Sequence, residues 1–138
     1  MTQSSCLCGA NRISFTGEPL VRFRCHCIDE RKLTGAAFAL NILMPADSLA
    51  VLSGSLKTWS KLAESGNTIT NHICDECGSL LFRTSDGYPG TMVIKAGCID
   101  GYDAAMEYRP DVEIFTRSRV PWVAAVEGAK QEIGDFSQ

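Results

Sequence analysis

Cys74-Asp75-Glu76-Cys77-Gly78, read with Cys6-Leu7-Cys8-Gly9 near the start of the chain, decides the fold. Each stretch is a short chelating pair followed by glycine, and 65 residues separate the inner cysteines of the two pairs. Two tight turns can each present two sulfurs from one side, and a tetrahedron of thiolates is what zinc accepts. The glycines supply the positive φ that such turns need. The four cysteines Cys6, Cys8, Cys74 and Cys77 therefore read as a structural zinc site that clamps an N-terminal turn onto a distant one. As small apolar residues they would also suit a core, but the paired spacing favours metal. Loss of that metal should loosen the N-terminus, because binding energy at such sites is folding energy.

The rest of the chain fits a domain organised around that clamp. It has 138 residues with 45% apolar and 21% charged, enough for one domain, 1–138, with one core. Its formal charge is −3 with no dense basic run, which argues against nucleic acid as a partner. Apolar runs such as Ala36 to Leu40 and Ile42 to Met44 fall far short of the ~20 residues of a membrane helix. Met1 to Ala10 lacks the pattern of a secretory signal. Seven cysteines, an odd number, argue against a secreted disulfide framework, so the expected location is cytoplasmic.

A third cysteine group lies at Cys25-His26-Cys27. In Val21 to Cys27, apolar residues and cysteines occupy the odd positions while Arg22, Arg24 and His26 take the even ones. That is the alternation of a half-buried strand with both sulfurs on one face. Asp29 to Leu33 reads as a helical turn able to swing Glu30 back toward the sulfurs. Cys25, Cys27 and Glu30 would then be three ligands with an open fourth position, the arrangement of catalytic zinc. Equally, the two cysteines read as core residues and Glu30 as a solvated charge. His26 faces away from the sulfurs and reads as a surface or hydrogen-bonded histidine, as does His72, and Cys98 reads as a small buried residue.

The remainder reads as short strands between turns: Arg12 to Thr16, Phe38 to Met44, Leu56 to Leu62, Thr68 to Ile73, Leu80 to Arg83, Met92 to Ala96 and Val112 to Thr116. A helical turn is expected at Asp103 to Met106 and a short helix at Val126 to Ile133. The class is mainly β. Arg31, Lys32, Arg117 and Arg119 could hold the carboxylates of a substrate but read first as surface charge. Trp59 and Trp122 read first as core aromatics and second as pocket walls.

The order Cys-x-Cys-Gly, Cys-His-Cys, Arg31 to Phe38, Ser65-Gly66-Asn67 and Cys74 to Ser79 resembles the glutathione-dependent formaldehyde-activating family, which includes centromere protein V. Val93 to Gly97 and Glu113 to Trp122 extend the likeness. It implies a zinc-containing β fold of short antiparallel strands, shared with a Rab nucleotide-release chaperone. It also implies a structural zinc on Cys6, Cys8, Cys74 and Cys77, and a catalytic zinc at the middle cluster. In the family that second metal is held by Cys-x-Cys-x-x-Cys, whose third position here is Glu30. The implied chemistry is that of a carbon–sulfur lyase-type enzyme, which joins or splits glutathione and formaldehyde through an S-hydroxymethyl adduct. Glu30 opens alternatives: a metal-poor enzyme acting on a hemiaminal or another aldehyde adduct, or a non-catalytic zinc-stabilised binding module. As a metal ligand, its harder oxygen would bind zinc less tightly than sulfur.

Overall fold

A computed structural model describes residues 1–101 and 107–136. The expected helical turn at Asp103 to Met106 lies outside them. Strand β1 (Thr2–Ser5) pairs antiparallel with β2 (Arg12–Phe15), which pairs with β5 (Ala50–Ser53) to form a three-stranded sheet. The remaining described strands form one eight-stranded sheet. They are β3 (Val21–Cys25), β4 (Ala39–Pro45), β6 (Leu56–Leu62), β7 (Thr68–Cys74), β8 (Leu80–Ser85), β9 (Thr91–Lys95), β10 (Val112–Ile114) and β11 (Lys130–Gln131). Their spatial order is β11-β10-β3-β4-β9-β8-β7-β6. The mainly β expectation holds, with one amendment. Strand β10 runs parallel to both β3 and β11, so the large sheet is mixed.

Alternation explains which faces are buried. Ile42 and Met44 of β4 meet Ile94 and Met92 of β9 across the ladder. With Leu81, Phe82, Ile13 and Phe15 they close the main core against the small sheet. A second cluster, Phe23, Cys25, Ala39, Val112, Ile114 and Phe115, lies where β3, β4 and β10 meet. Strand β6 is the exposed edge, and Trp59 on it is 54% accessible. Trp122 is 79% accessible, so neither tryptophan is the core residue that its size suggests.

Val126 to Ile133 forms no helix. Gly128 takes φ +87°, and Lys130 N–H and Glu132 N–H donate to the carbonyls of Asp111 and Glu113. Those donors complete the β10 edge and so are unavailable to helical carbonyls. Gly54 (φ +80°) lies where a Cβ would stand 2.4 Å from the Ala10 carbonyl and 2.5 Å from Asn11. Only glycine fits there, and the tight approach locks β5 beside the first cysteine turn.

Candidate functional site

The four-cysteine clamp assembles as the spacing requires. Among the described residues, Cys6, Cys8, Cys74 and Cys77 are the group of Cys, His, Asp or Glu whose ligand atoms all converge within 4.8 Å. Sγ of Cys8 lies 3.5 Å from Cys6 and 3.8 Å from Cys74. Gly9 and Gly78 take φ +80° and +81°, closing each turn behind its sulfurs. Asn11 N–H donates to Cys6 Sγ, and the N–H groups of Glu76 and Cys77 donate to Cys74 Sγ. Hydrogen bonds from the Ser79 hydroxyl and backbone bring Cys77 down to about 5, which favours the thiolate. Cys74 is lowered as well, first by the Cys77 N–H, whereas Cys8, against the Ala10 backbone hydrogen bond, is raised to about 12 by the sulfurs beside it; four converging sulfurs of this kind suit a soft or borderline metal ion. His72 takes no part in the cluster; it stacks on Phe82 with centroids 4.1 Å apart. Cys98 is half-buried and donates to the Leu80 carbonyl.

The second cysteine group is built by a strand-to-helix junction. Cys25 ends β3, and Cys27 caps helix α1 (Ile28–Thr34), its sulfur accepting the Glu30 N–H at 3.4 Å. Acidic Asp29 and Glu30 in the first turn, basic Arg31 and Lys32 in the last and left-handed Gly35 beyond complete a helix of favourable charge order. Cys25 and Cys27 point to one face, as the alternation predicts, with sulfurs 3.3 Å apart.

Glu30 is also brought to this junction, fully buried, but its carboxylate turns to other partners. Lys95 Nζ donates to Oε2 at 2.5 Å and to Asn41 Oδ1 at 2.8 Å. The Arg83 guanidinium pairs with Oε1 and donates through Nε to Asn71 at 2.8 Å. Cys25, Cys27 and Glu30 do not converge as the clamp cysteines do. With its third anionic donor held by two cations, the set as arranged does not fit a second metal.

The arrangement instead polarises the sulfur pair. Cys25, donating its proton to Cys27 in a buried site, is raised well above the usual thiol range. Cys27 is lowered, first by that hydrogen bond and then by the charges of Arg83 and Lys95, against the opposing effect of burial. Burial and the like charge of Arg83 push Lys95 down to about 7 against the opposing effect of Cys25, Cys27 and Cys98, and the Glu30 carboxylate lies 2.5 Å from its Nζ.

Both sulfurs open on a cavity of about 140 Å³. Phe23, Leu43, Val93, Ile114 and Phe136 give it apolar walls, and Asn67, Thr84 and Tyr88 add polar groups. Phe115, also in the wall, takes a left-handed φ of +54°, rare for a bulky residue. Among the sequence candidates, Arg31, Lys32, Trp59 and Trp122 do not line this cavity.

His26 and Arg119 belong to a separate buried knot behind it. His26 Nε2 lies 2.7 Å from Glu113 Oε1, Arg24 Nε pairs with the same oxygen at 2.9 Å, and Arg119 lies 3.3 Å from Oε2. Burial alone would raise Glu113, yet hydrogen bonds from Gln131, His26 and the Val126 N–H, with the Arg24 charge, bring it down to about 2. His26 is thus hydrogen-bonded and fully buried rather than on the surface.

A family model described as glutathione-dependent formaldehyde-activating enzyme matches residues 1–118. The chain belongs to this family. No curated protein matches it significantly. Among solved structures, a Rhodobacter sphaeroides protein from structural genomics superposes with a TM-score of 0.63 at 18% identity. The match covers 78% of this chain and 96% of the other, a likeness of fold. The four-cysteine clamp could hold a metal ion. No helix among the described residues is long and apolar enough to cross a membrane.

Sequence reasoning missed Lys95 and Arg83 as partners of Glu30, and Asn41 as the second acceptor of Lys95. Lys95 ends the apolar run Met92-Val93-Ile94, and a lone lysine closing a buried strand was the available signal.

Proposed function

We propose that the protein is a carbon–sulfur lyase-type enzyme acting on a small thiol–aldehyde adduct, of the glutathione-plus-formaldehyde type, with Cys25, Cys27 and Glu30 at its working centre. The observation that carries the reading is the polarised Cys25–Cys27 pair lining a largely apolar cavity. Zinc is the metal we assign to Cys6, Cys8, Cys74 and Cys77, where it holds the N-terminal turn against the β7–β8 turn and takes no part in the reaction. Free thiols at both cysteine groups fit a reducing compartment, the cytoplasm.

Cys27 acts as the base. Its thiolate takes the hydroxyl proton of the adduct R–S–CH₂–OH; the C=O bond forms as the C–S bond breaks, releasing aldehyde and a substrate thiolate. The Arg83 and Lys95 charges near the sulfurs favour that departing anion. Run backwards, the thiolate adds to the aldehyde and the alkoxide recovers the proton from Cys27. Cys25 is a positioning residue that fixes the Cys27 lone pair through its S–H. Glu30 positions Lys95 and Arg83.

A second reading, metal-poor chemistry on a hemiaminal or another aldehyde adduct, is favoured by the Glu30 carboxylate being held away from the sulfurs. Exchange between small thiols, formaldehyde and their hydroxymethyl adducts, followed by NMR, tests the main reading. The protein should accelerate exchange, and Cys27→Ala should lose about 10²-fold or more of that acceleration. No acceleration in the parent with any small thiol, or full activity in Cys27→Ala, would overturn it.

A further inference from the structure

Resting on that reading, we infer that the thiol half of the substrate carries an ammonium group, and that Asp135, beside the rings of Tyr88 and Phe136 in the cavity wall, is the residue that selects it.

A C-terminal strap places this carboxylate. The Gly134 carbonyl accepts the Phe115 N–H at 2.8 Å, and the Glu132 carbonyl accepts the N–H and the hydroxyl of Thr116 at 3.1 and 3.0 Å. Asp135 and Phe136 follow directly and enter the wall of the cavity, beyond the stretch 1–118 shared with the family. The Phe136 ring meets Phe23 edge-on with centroids 4.9 Å apart, and Tyr88 in the same manner at 6.2 Å. Phe23 and Cys25 share one face of β3, one pleat repeat or about 7 Å apart. The strap therefore borders the same part of the cavity as the sulfur pair.

Charge in this cavity has two signs. Lys95 and Arg83, both largely buried, face the single carboxylate of Glu30, an excess of one positive charge near the sulfurs that suits a departing thiolate. Asp135, half-buried, has no ion-pair partner among the described residues, and its Oδ1 accepts the Phe136 N–H at 2.8 Å. Asp29 and Glu64, also in the lining, have the exposed cations Lys61 and Arg117. Exposed pairs of that kind contribute little; what sets Asp135 apart is the aromatic wall beside it. An ammonium placed there gains a charge-assisted hydrogen bond from the carboxylate and the attraction of aromatic rings for cations. Burial first, and then the charge of Asp135, pushes the Tyr88 hydroxyl up, so the phenol keeps its proton and adds no second negative charge. Carbon–sulfur cleavage would then release a zwitterion whose thiolate and ammonium each meet the opposite sign.

Dimethylaminoethanethiol, protonated on nitrogen at neutral pH, and isopentyl mercaptan, its neutral carbon analogue, test the inference at matched shape; the tertiary amine forms no ring with formaldehyde. In formaldehyde exchange the amine should have a kcat/KM at least about tenfold higher, and Asp135→Asn, which keeps an oxygen for the Phe136 N–H, should remove most of that preference. Comparing parent with variant cancels the different acidities of the two thiols. An amine no better than the neutral thiol in the parent, or a preference unchanged in Asp135→Asn, overturns the assignment. Glutathione and its desamino analogue distinguish the source of the ammonium: a loss on Asp135→Asn with glutathione alone of these two assigns it to the tripeptide, and a loss confined to the small amine assigns it to a smaller aminothiol. Titration with the unreactive methyl thioethers of the small pair separates failure of this assignment from failure of the proposed reaction. If no thiol turns over but the amine thioether binds at least about tenfold more tightly in the parent and not in Asp135→Asn, the ammonium site stands and the lyase reading falls. If the two thioethers bind alike in the parent, the site falls whatever the turnover.

Discussion

Replacing Glu30 by glutamine tests the buried charge cluster most directly. The substitution keeps the shape and one oxygen acceptor while removing the negative charge, leaving Lys95 and Arg83 side by side with side-chain exposures of 9% and 12%. Removing one partner of a buried pair costs about 3–5 kcal/mol, because the other charge is stranded. Here the lower end applies: Lys95 retains Asn41, Arg83 retains Asn71, and Lys95 can shed its proton, to which burial and Arg83 already dispose it. About 3 kcal/mol is a large part of a domain's total of ~5–15 kcal/mol. With a urea slope of about 1.5 kcal/mol per molar, the unfolding midpoint should fall by about 2 M. The loss should also depend on pH. In the variant the unfolded chain binds the Lys95 proton more readily than the folded one, so stability rises with pH. Because Lys95 of the parent is itself brought down to about 7, the gap should narrow as pH rises toward 7 and stay constant above it. A Glu30→Gln protein within about 1 kcal/mol of the parent at pH 7 would refute the view that Glu30 is the counter-ion of two buried cations.

Two other consequences are open to measurement. Elemental analysis of protein purified without added metal should find one zinc per chain in the parent and in a Cys25→Ala, Cys27→Ala double variant, and much less in Cys8→Ser, Cys77→Ser; two in the parent would show that Glu30 releases its cations to a metal. For Glu113, whose carboxyl is depressed from 4.5 to about 2, the folded state gains stability above the ordinary carboxylate range and loses it as pH falls toward 2. The stability difference between parent and Glu113→Gln should therefore be full at pH 6 and shrink steadily between pH 4.5 and 2; a difference that does not change with pH would show that the carboxylate charge is not what the knot uses.

Much of this architecture is legible in the chain because it is local. Val21 to Cys25 announces itself by alternation, and Leu56 to Leu62 is extended between the turns that bound it. The clamp is legible although its halves lie far apart, because four cysteines in two glycine-terminated turns have few other uses. What the chain hides is long-range pairing of charge. Glu30 and Lys95 lie 65 positions apart, and Glu113 reaches His26 across 87. Nothing local marks either contact, since both depend on which strands become neighbours. The parallel placement of β10 beside β3 brings Glu113 opposite Arg24, and the pairing of β4 with β9 sets Asn41 opposite Lys95. Trp59 is exposed for a related reason: burial by size presumes a covering layer, and β6, which carries it, is an edge strand with none among the described residues.

Position 30 shows why a site residue has to be read with its neighbours. By the resemblance to the family's Cys-x-Cys-x-x-Cys, Glu30 reads as a substituted metal ligand. In three dimensions it is one corner of a unit in which two buried cations require an anion and two amides, Asn41 and Asn71, take up the remaining donors. A cysteine at this position would supply a sulfur to the pair beside it, but as a ligand its charge would be turned away from Lys95 and Arg83. Restoring the family's third cysteine therefore alters two requirements at once, metal ligation and charge compensation. Glu30→Cys alone should cost stability even where it gains metal, whereas Glu30→Cys combined with Lys95→Met should keep the metal at a smaller cost. If Glu30→Cys alone bound a second zinc with unchanged urea stability, the two cations would not depend on Glu30, and the carboxylate would be no more than a weaker ligand in the family's place.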